Sequence, residues 1–199
     1  MHVATELSAC IGVFLELYFG TSNESKYEEA RKILERADFT LKHFCFKHNE
    51  IRSDSLKEIA CEAVLAAYST LKKPVFVEDA GLFICSLNDF PGTYSAWIYR
   101  KIGIDGILQL LKTSESRAAA FRAVVAYTCD GSKVQCFDGQ CNGSIAMNKK
   151  GNSGFGYDPI FIPDGYDNTF AENIALKNKL SHRYTALLKL SKYLRNPLL

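Results

Sequence analysis

The stretch "GVFLELYFG" (12–20), followed at once by "TSNESKYEEARKILERA" (21–37), decides how the chain folds. Its first half is rich in β-formers and stops at a glycine, as a strand does. Its second half crowds acids into the first turns and brings Arg31, Lys32 and Arg36 later, the order that the helix macrodipole favours. Ser25 with Glu28 has the spacing of a capping box. Thr21 to Lys26 is therefore a strand-to-helix junction. Downstream, "TLKHFCF" (40–46) predicts a second strand, and from Leu56 the residues Ile59, Ala60, Ala63, Val64, Ala67 and Leu71 keep a helical stripe. "PVFVED" (74–79) predicts a short buried strand ending in two acids, with "GLFICSL" (81–87) continuing the sheet after a turn. "LNDFPGTYSAWIYRKIG" (87–103) reads as a loop leading to a short helix, and "DGILQLLKT" (105–113) as another. "AAAFRAVVAYTCDGSKVQCFDGQCNGSIA" (118–146) predicts a long antiparallel hairpin turning at Asp130-Gly131, and "SHRYTALLKLSKYLR" (181–195) an amphipathic helix opened by Ser181.

Alternating strands and helices followed by a hairpin define the α/β class, with a mixed sheet and helices packed around it. No repeat, low-complexity tract or linker divides the 199 residues, so the chain reads as one domain, with residues 1–10 as an extension to which no role is assigned. At 47% hydrophobic and 23% charged, the composition is that of a soluble globular protein. A net charge of +2 predicts no bulk affinity for nucleic acid or membrane, so an anionic ligand has to be held by a local group of cations and N–H donors. The seven cysteines are odd in number and form no C-x-x-C, and several sit in apolar runs. They read as reduced core thiols of a cytoplasmic protein, not as a disulfide frame or a zinc site. The opening twenty residues lack a basic n-region and read as a poor signal peptide, and no apolar run reaches the roughly 18 residues of a membrane span.

Three constellations could carry chemistry. In "GTSNESK" (20–26) a helix N-terminus, the side chains of Thr21, Ser22 and Asn23, and the charge of Lys26 suit a phosphate; the same residues also read as an ordinary capped helix. In "VEDAGL" (77–82), Glu78 and Asp79 stand where an α/β sheet gathers its ligands, able to hold Mg²⁺ or take a proton from water, or simply to form a turn. Glu50 after the second strand is a further oxygen ligand. "GNSGFGYDPIFIPDG" (151–165) sets Phe155 and Tyr157 between and beside glycines, and Asp158 directly before Pro159. Such a stiffened loop presents a ring and a carboxylate in set directions. Lys177, His182 and Arg183 surround the start of the last helix, and the latter two oppose its dipole, a poor placement for helix stability alone.

Taken together, "TSNESK" (21–26), "VEDAGL" (77–82), "FPGTYSAW" (90–97), "GFGYDPIFIPDGY" (154–166) and "TFAENIALKNKLSHR" (169–183) resemble the inosine triphosphate pyrophosphatase family over about residues 14 to 195. The resemblance implies an elongated mixed β-sheet flanked by helices, two lobes enclosing a substrate cleft, and a homodimer. It implies Mg²⁺-dependent hydrolysis of ITP, dITP and XTP to the monophosphate and pyrophosphate. Residue by residue, it gives Thr21, Ser22, Asn23 and Lys26 the triphosphate, and Glu50 and Asp79 the metal and the attacking water, with Asp79 as general base. Phe155 would stack on the base within the wall that includes Gly156 and Tyr157, with Asp158, Lys177, His182 and Arg183 around the base's edge. Two departures stand out. Relatives carry a second phosphate-side lysine on the helix after Glu50, where this chain has Ala63 and Leu65, with Lys57 about two turns earlier; and the segment between Glu50 and that helix is about a residue longer. Alternatives are a Maf-type nucleotide pyrophosphatase of the same fold, against which the "GFGYDP…SHR" pairing argues, and a non-catalytic nucleotide sensor, against which Lys26 and Asp79 argue. A nucleic-acid-binding module is disfavoured by the near-neutral charge.

Overall fold

The computed structural model describes residues 16–37 and 39–195. The extension 1–10 and the first part of the opening strand lie outside them. Strand β1 (Leu17–Gly20) runs into helix α1 (Glu24–Glu35), then β2 (Leu41–Phe44) and α2 (Leu56–Leu71). There follow β3 (Val75–Ile84), the two-residue β4 (Pro91–Gly92), α3 (Ser95–Leu110), the hairpin β5 (Ala118–Thr128) and β6 (Gln135–Ile145), β7 (Phe161–Pro163), α4 (Ile174–Leu180) and α5 (His182–Arg195). All seven strands form one mixed sheet in the order β2-β1-β3-β5-β6-β7, with β4 on the free edge of β3. The predicted α/β class, the hairpin with its turn at Asp130-Gly131 and the amphipathic last helix are all present. The helical stretch after Ser95 breaks at Gly103 (φ 62°), so the expectation of two short helices there also holds.

Two local expectations are corrected. The cap of α1 is Asn23, not Ser25: Asn23 Oδ1 accepts the Lys26 N–H at 3.1 Å, while Glu28 turns to Arg31. Asn23 has the extended backbone a cap needs, whereas Ser25 already lies inside the helix. The strand expected to end at Asp79 instead continues unbroken through Gly81 to Ile84, because β5 pairs with it residue for residue from Val75↔Thr128 to Ile84↔Ala119. A ten-residue antiparallel ladder outweighs the turn that Asp-Ala-Gly suggests by itself.

That continuity positions the site. On its other edge β3 is paired with β1 only at Val75 and Phe76, and with β4 only at Leu82 and Phe83. Between them, Val77 to Gly81 has no strand partner on that edge, and the cleft opens there. On the β1 side, α2 lays Leu56, Ala60, Val64 and Ala67 against one face of the sheet, and α1 with α5 lays Ile33, Leu34, Leu187 and Leu190 against the other. Beyond the gap a separate cluster of Ile104, Ile107, Phe121, Tyr157, Phe161 and Phe170 holds the second lobe together. Each fully buried aliphatic side chain contributes about 1.5–3 kcal/mol, so each lobe has its own cohesion. Gly139 of β6 sets the last helix: a Cβ there would stand 2.0 Å from the His182 carbonyl oxygen, so only glycine lets the N-terminus of α5 lie this close to the sheet.

Candidate active site

A cleft of about 1220 Å³ lies between the lobes, and every residue assigned to a site from the sequence lines it: Thr21, Ser22, Asn23, Lys26, Glu50, Asp79, Phe155, Gly156, Tyr157, Asp158, Lys177, His182 and Arg183. They come from chain segments up to 162 residues apart (183 − 21). Only the sheet gap and the docking of α5 bring them together.

At one end the N-terminus of α1 faces the cleft. Thr21 Oγ1 accepts the Asn23 N–H at 3.1 Å, and His43 Nε2 donates to the Thr21 carbonyl at 2.8 Å, so the junction loop is braced from β2. Lys26 Nζ donates to the Glu78 carbonyl at 3.2 Å across the gap in β3. Beside it, Asp79 has a buried carboxylate oxygen, Oδ2, with no hydrogen-bond partner among the described residues. Burial pushes the Asp79 carboxyl up to about 7, Lys26 pulls it down, and Glu50 across the cleft raises it further. Two carboxylates, one of them unsatisfied, are the hard oxygen donors that Mg²⁺ takes when substrate phosphates complete its shell. Among the described residues no group of three or more His, Cys, Asp and Glu is placed to hold a metal unaided.

At the other end the charges are satisfied. Arg183 clasps both carboxylate oxygens of Glu78, at 2.6 Å through Nε and 2.9 Å through a terminal nitrogen, and its other terminal nitrogen bonds Glu29. Lys177 lies between Glu29 at 2.5 Å and Asp158 at 2.6 Å. Lys177 and Arg183 are each only 2% exposed. Burial works to raise Glu78, but Arg183 and Lys26 outweigh it and bring the carboxyl down to about 2. Burial likewise opposes the charge on Arg183, and Glu78 and Glu29 overcome it. The Asp158 carboxyl, raised by burial, is held by Lys177 and by the Phe155 N–H at 2.7 Å. Lys177 and Arg183 sit 4.3 and 5.5 Å from the centre of the Phe155 ring, fixing its attitude by cation–π contact. The glycines before it have a concrete reason: at Gly154 (φ 75°) a Cβ would fall 2.3 Å from Asp158 Oδ2.

His182 stacks on Phe121 with ring centres 4.7 Å apart, and its Nδ1 is buried without a partner. Burial, then Arg183, holds its pKa well below the usual histidine range, so the ring is neutral. Tyr157 is a scaffold residue: it is buried, donates its hydroxyl to the Ser95 carbonyl at 3.1 Å and meets Tyr99 edge-on. Ser181 caps α5, accepting the Tyr184 N–H at 3.2 Å, as its sequence position predicts.

Sequence reasoning missed Glu29. It sits on α1 among other acids and looks like a solvated face, yet it joins Lys177 to Arg183; nothing in its local pattern marks it. Lys57 does not line the cleft, Ala63 does, and Leu65 is exposed. Lys47 and Arg52, on the segment between β2 and α2, line the mouth instead, neither in an ion pair among the described residues. Thr93 Oγ1, from the turn before α3, donates to the Ser53 carbonyl at 2.8 Å and ties that segment across the cleft. The reading of the cysteines as core thiols is corrected too: Cys45, Cys85 and Cys129 are exposed, Cys61 and Cys136 half-buried, and among the described residues only Cys141 is buried, Cys10 lying outside them.

The fold and cleft define an α/β protein in which a helix N-terminus, an acidic strand and an aromatic wall line one cleft. The chain belongs to the Ham1 family, whose pattern matches residues 17–193. It is 44% identical over 183 residues to a dITP/XTP pyrophosphatase of Methanopyrus kandleri, covering 92% of this chain and 97% of that one. With a dITP/XTP pyrophosphatase of Thermococcus kodakarensis it shares 42% over 185 residues, 92% of this chain and 100% of the other. The fold matches the Ham1 protein of Staphylococcus aureus with a TM-score of 0.79 at 30% identity, over 92% of this chain and 99% of that one. A HAM1 protein from Coxiella burnetii matches with a TM-score of 0.78 at 30% identity, over 90% and 98%.

Proposed function

We propose that this protein hydrolyses non-standard purine nucleoside triphosphates (ITP, dITP and XTP) to the monophosphate and pyrophosphate. The observation that carries the reading is the unpartnered Asp79 carboxylate oxygen, set between the α1 N-terminus with Lys26 and the Phe155 pocket. Relatives about 40% identical over most of their length bear the name of that activity.

Thr21, Ser22, Asn23 and Lys26 receive the triphosphate, on N–H groups at the positive end of α1 and on the lysine charge. Lys47 and Arg52 supply further positive charge at the mouth, in place of the lysine absent from α2. Glu50 and Asp79 would hold Mg²⁺, which when bound offsets the charge that builds on the phosphates as the α–β bond breaks. Asp79 Oδ2, unpaired in the cleft, accepts the proton of the attacking water. Phe155 stacks on the purine. Arg183 spends three of its five N–H donors on Glu29 and Glu78 and keeps the rest for the base, alongside His182. Donors there meet the 6-keto oxygen of hypoxanthine or xanthine, whereas adenine presents an amino group and leaves them unpaired. Mismatches of that kind reject a substrate by roughly 10⁴ in favourable sites.

In our reading the chain is a single domain that works in the cytoplasm, and as a homodimer, with the exposed Trp97, Ile102 and Leu110 of α3 as apolar surface to cover. Cell fractionation and sedimentation equilibrium check these two points; a secreted protein or a monomer at micromolar concentration contradicts them. The activity itself is tested by pyrophosphate release from ITP, XTP, GTP and ATP with and without Mg²⁺. Metal-dependent release favouring ITP and XTP is expected. Binding of ITP without release would favour the sensor, and preference for a pyrimidine nucleotide the Maf-type reading.

A further inference from the structure

Cys61 and Cys136 lie with their sulfur atoms 3.2 Å apart, one on α2 and the other on β6, separated by 75 residues of chain. Unbonded sulfurs at that distance are already in close contact, and closing to the roughly 2.05 Å of a disulfide asks for a shift of about 1 Å, within the play of two side chains. Both residues are half-buried, so the pair is within reach of a small oxidant yet held facing each other by the elements that carry them. Cys136 packs beside the cluster formed by α2 and the sheet, where Ala60, Ala63 and Val64 are buried. Nothing in the proposed hydrolysis uses either thiol.

We propose that Cys61 and Cys136 are a site of reversible disulfide formation by hydroperoxides. Burial, and after it the adjacent Cys61 sulfur, raises the Cys136 thiol, which makes Cys136 a poor first attacker, and that step falls to Cys61. The Cys61 thiolate attacks the peroxide; its O–O bond breaks, hydroxide (or alkoxide) leaves, and Cys61 becomes a sulfenic acid. Cys136 sulfur, losing its proton, then displaces the hydroxyl group as water and forms the S–S bond. Two electrons pass from the two thiols to one peroxide, and a dithiol reductant reverses the step. The product ties α2 to β6 behind the cleft wall that Ile59, Ala60 and Ala63 provide.

The test uses the full-length protein, reduced and then treated with hydrogen peroxide. Differential alkylation and peptide mass spectrometry are expected to show a Cys61–Cys136 linked peptide, formed in the monomeric band on a non-reducing gel and removed by dithiothreitol. A thermal scan of the linked form is expected to show a raised Tm, since a bridge across 75 residues removes freedom from the unfolded chain. Cys136→Ser should lose the linked peptide and accumulate the sulfenic acid at Cys61, trapped by dimedone; Cys61→Ser should leave Cys136 unmodified. The proposal is overturned if peroxide leaves both thiols alkylatable, links either to a different cysteine, or carries Cys61 to the sulfinic acid with no bridge. The readout does not depend on nucleotide hydrolysis, so it stands or falls separately from the proposed activity.

Discussion

The two ends of the cleft hold similar charges in opposite conditions. Behind Phe155, Arg183 and Lys177 are matched against Glu78, Glu29 and Asp158, each carboxylate in hydrogen-bond contact with a cation. Beside the α1 N-terminus, half-buried Asp79 has a buried oxygen left unpaired, and Lys47 and Arg52 line the cleft with no ion pair among the described residues. A buried network in which every charge is met is rigid and keeps its protonation over a wide pH range, so it suits shape and base recognition. An unsatisfied carboxylate is held at a cost in stability, and its pKa moves into the range where protons are exchanged. We assign recognition to the first region and chemistry to the second.

The sharpest way to break this contrast is Asp79→Asn. Turnover is expected to fall by about 10²–10⁴, with nucleotide binding retained by equilibrium dialysis; near-normal turnover would remove Asp79 as the base. The sign of its effect on stability is opposite to that of an ordinary paired acid. Its folded pKa of about 7 lies above its usual 3.8, so the folded state holds the proton more tightly. Its contribution is fullest below about pH 3.8 and is lost as pH rises through about 7. Asp79→Asn should therefore raise the Tm of the metal-free protein at pH 8 and leave it little changed at pH 4.

In the paired region the expectation is reversed. Glu29→Gln leaves Lys177 and Arg183 sharing fewer negative charges in a buried place, which costs about 3–5 kcal/mol in urea unfolding. A loss below about 1 kcal/mol would mean that Glu29 is a spectator. Phe155→Ala should raise the KM for ITP by about 5- to 100-fold through lost stacking, with kcat much less affected; a change confined to kcat would contradict the stacking role. Smallest is Arg52→Ala, expected to raise KM by about 3- to 10-fold at low salt and less at 0.5 M salt, since an exposed cation is screened. A salt-independent effect, or an equal loss of kcat, would place Arg52 in the chemistry itself.

Much of this molecule was legible along the chain. The β1–α1 junction, the α2 stripe, the β5–β6 hairpin and the cap at Ser181 each rest on contacts a few residues long, where propensity and periodicity speak directly. The motif blocks named the cleft residues because their chemistry is unusual for surface loops: rings flanked by glycine, and positive charge at a helix start. Local rules misled where long-range pairing won. Asp79 reads as a strand end but lies mid-strand because β5 continues the ladder, and Cys61 and Cys136 read as unrelated thiols until α2 is laid across the sheet.

The sequence by itself determined which segments become strands and helices and which side chains carry chemistry, since both follow from residue type and short spacing. Tertiary structure alone decided that Glu29 would hold Arg183, that Glu78 would be neutralised while its neighbour Asp79 was left unpaired, and that β3 would stand bare between β1 and β4. Adjacent residues of a strand point to opposite faces, so what each one meets depends on the elements packed there and not on the residue beside it. That is why two consecutive carboxylates, indistinguishable in the sequence, end as one paired with cations and one with an oxygen left unpaired.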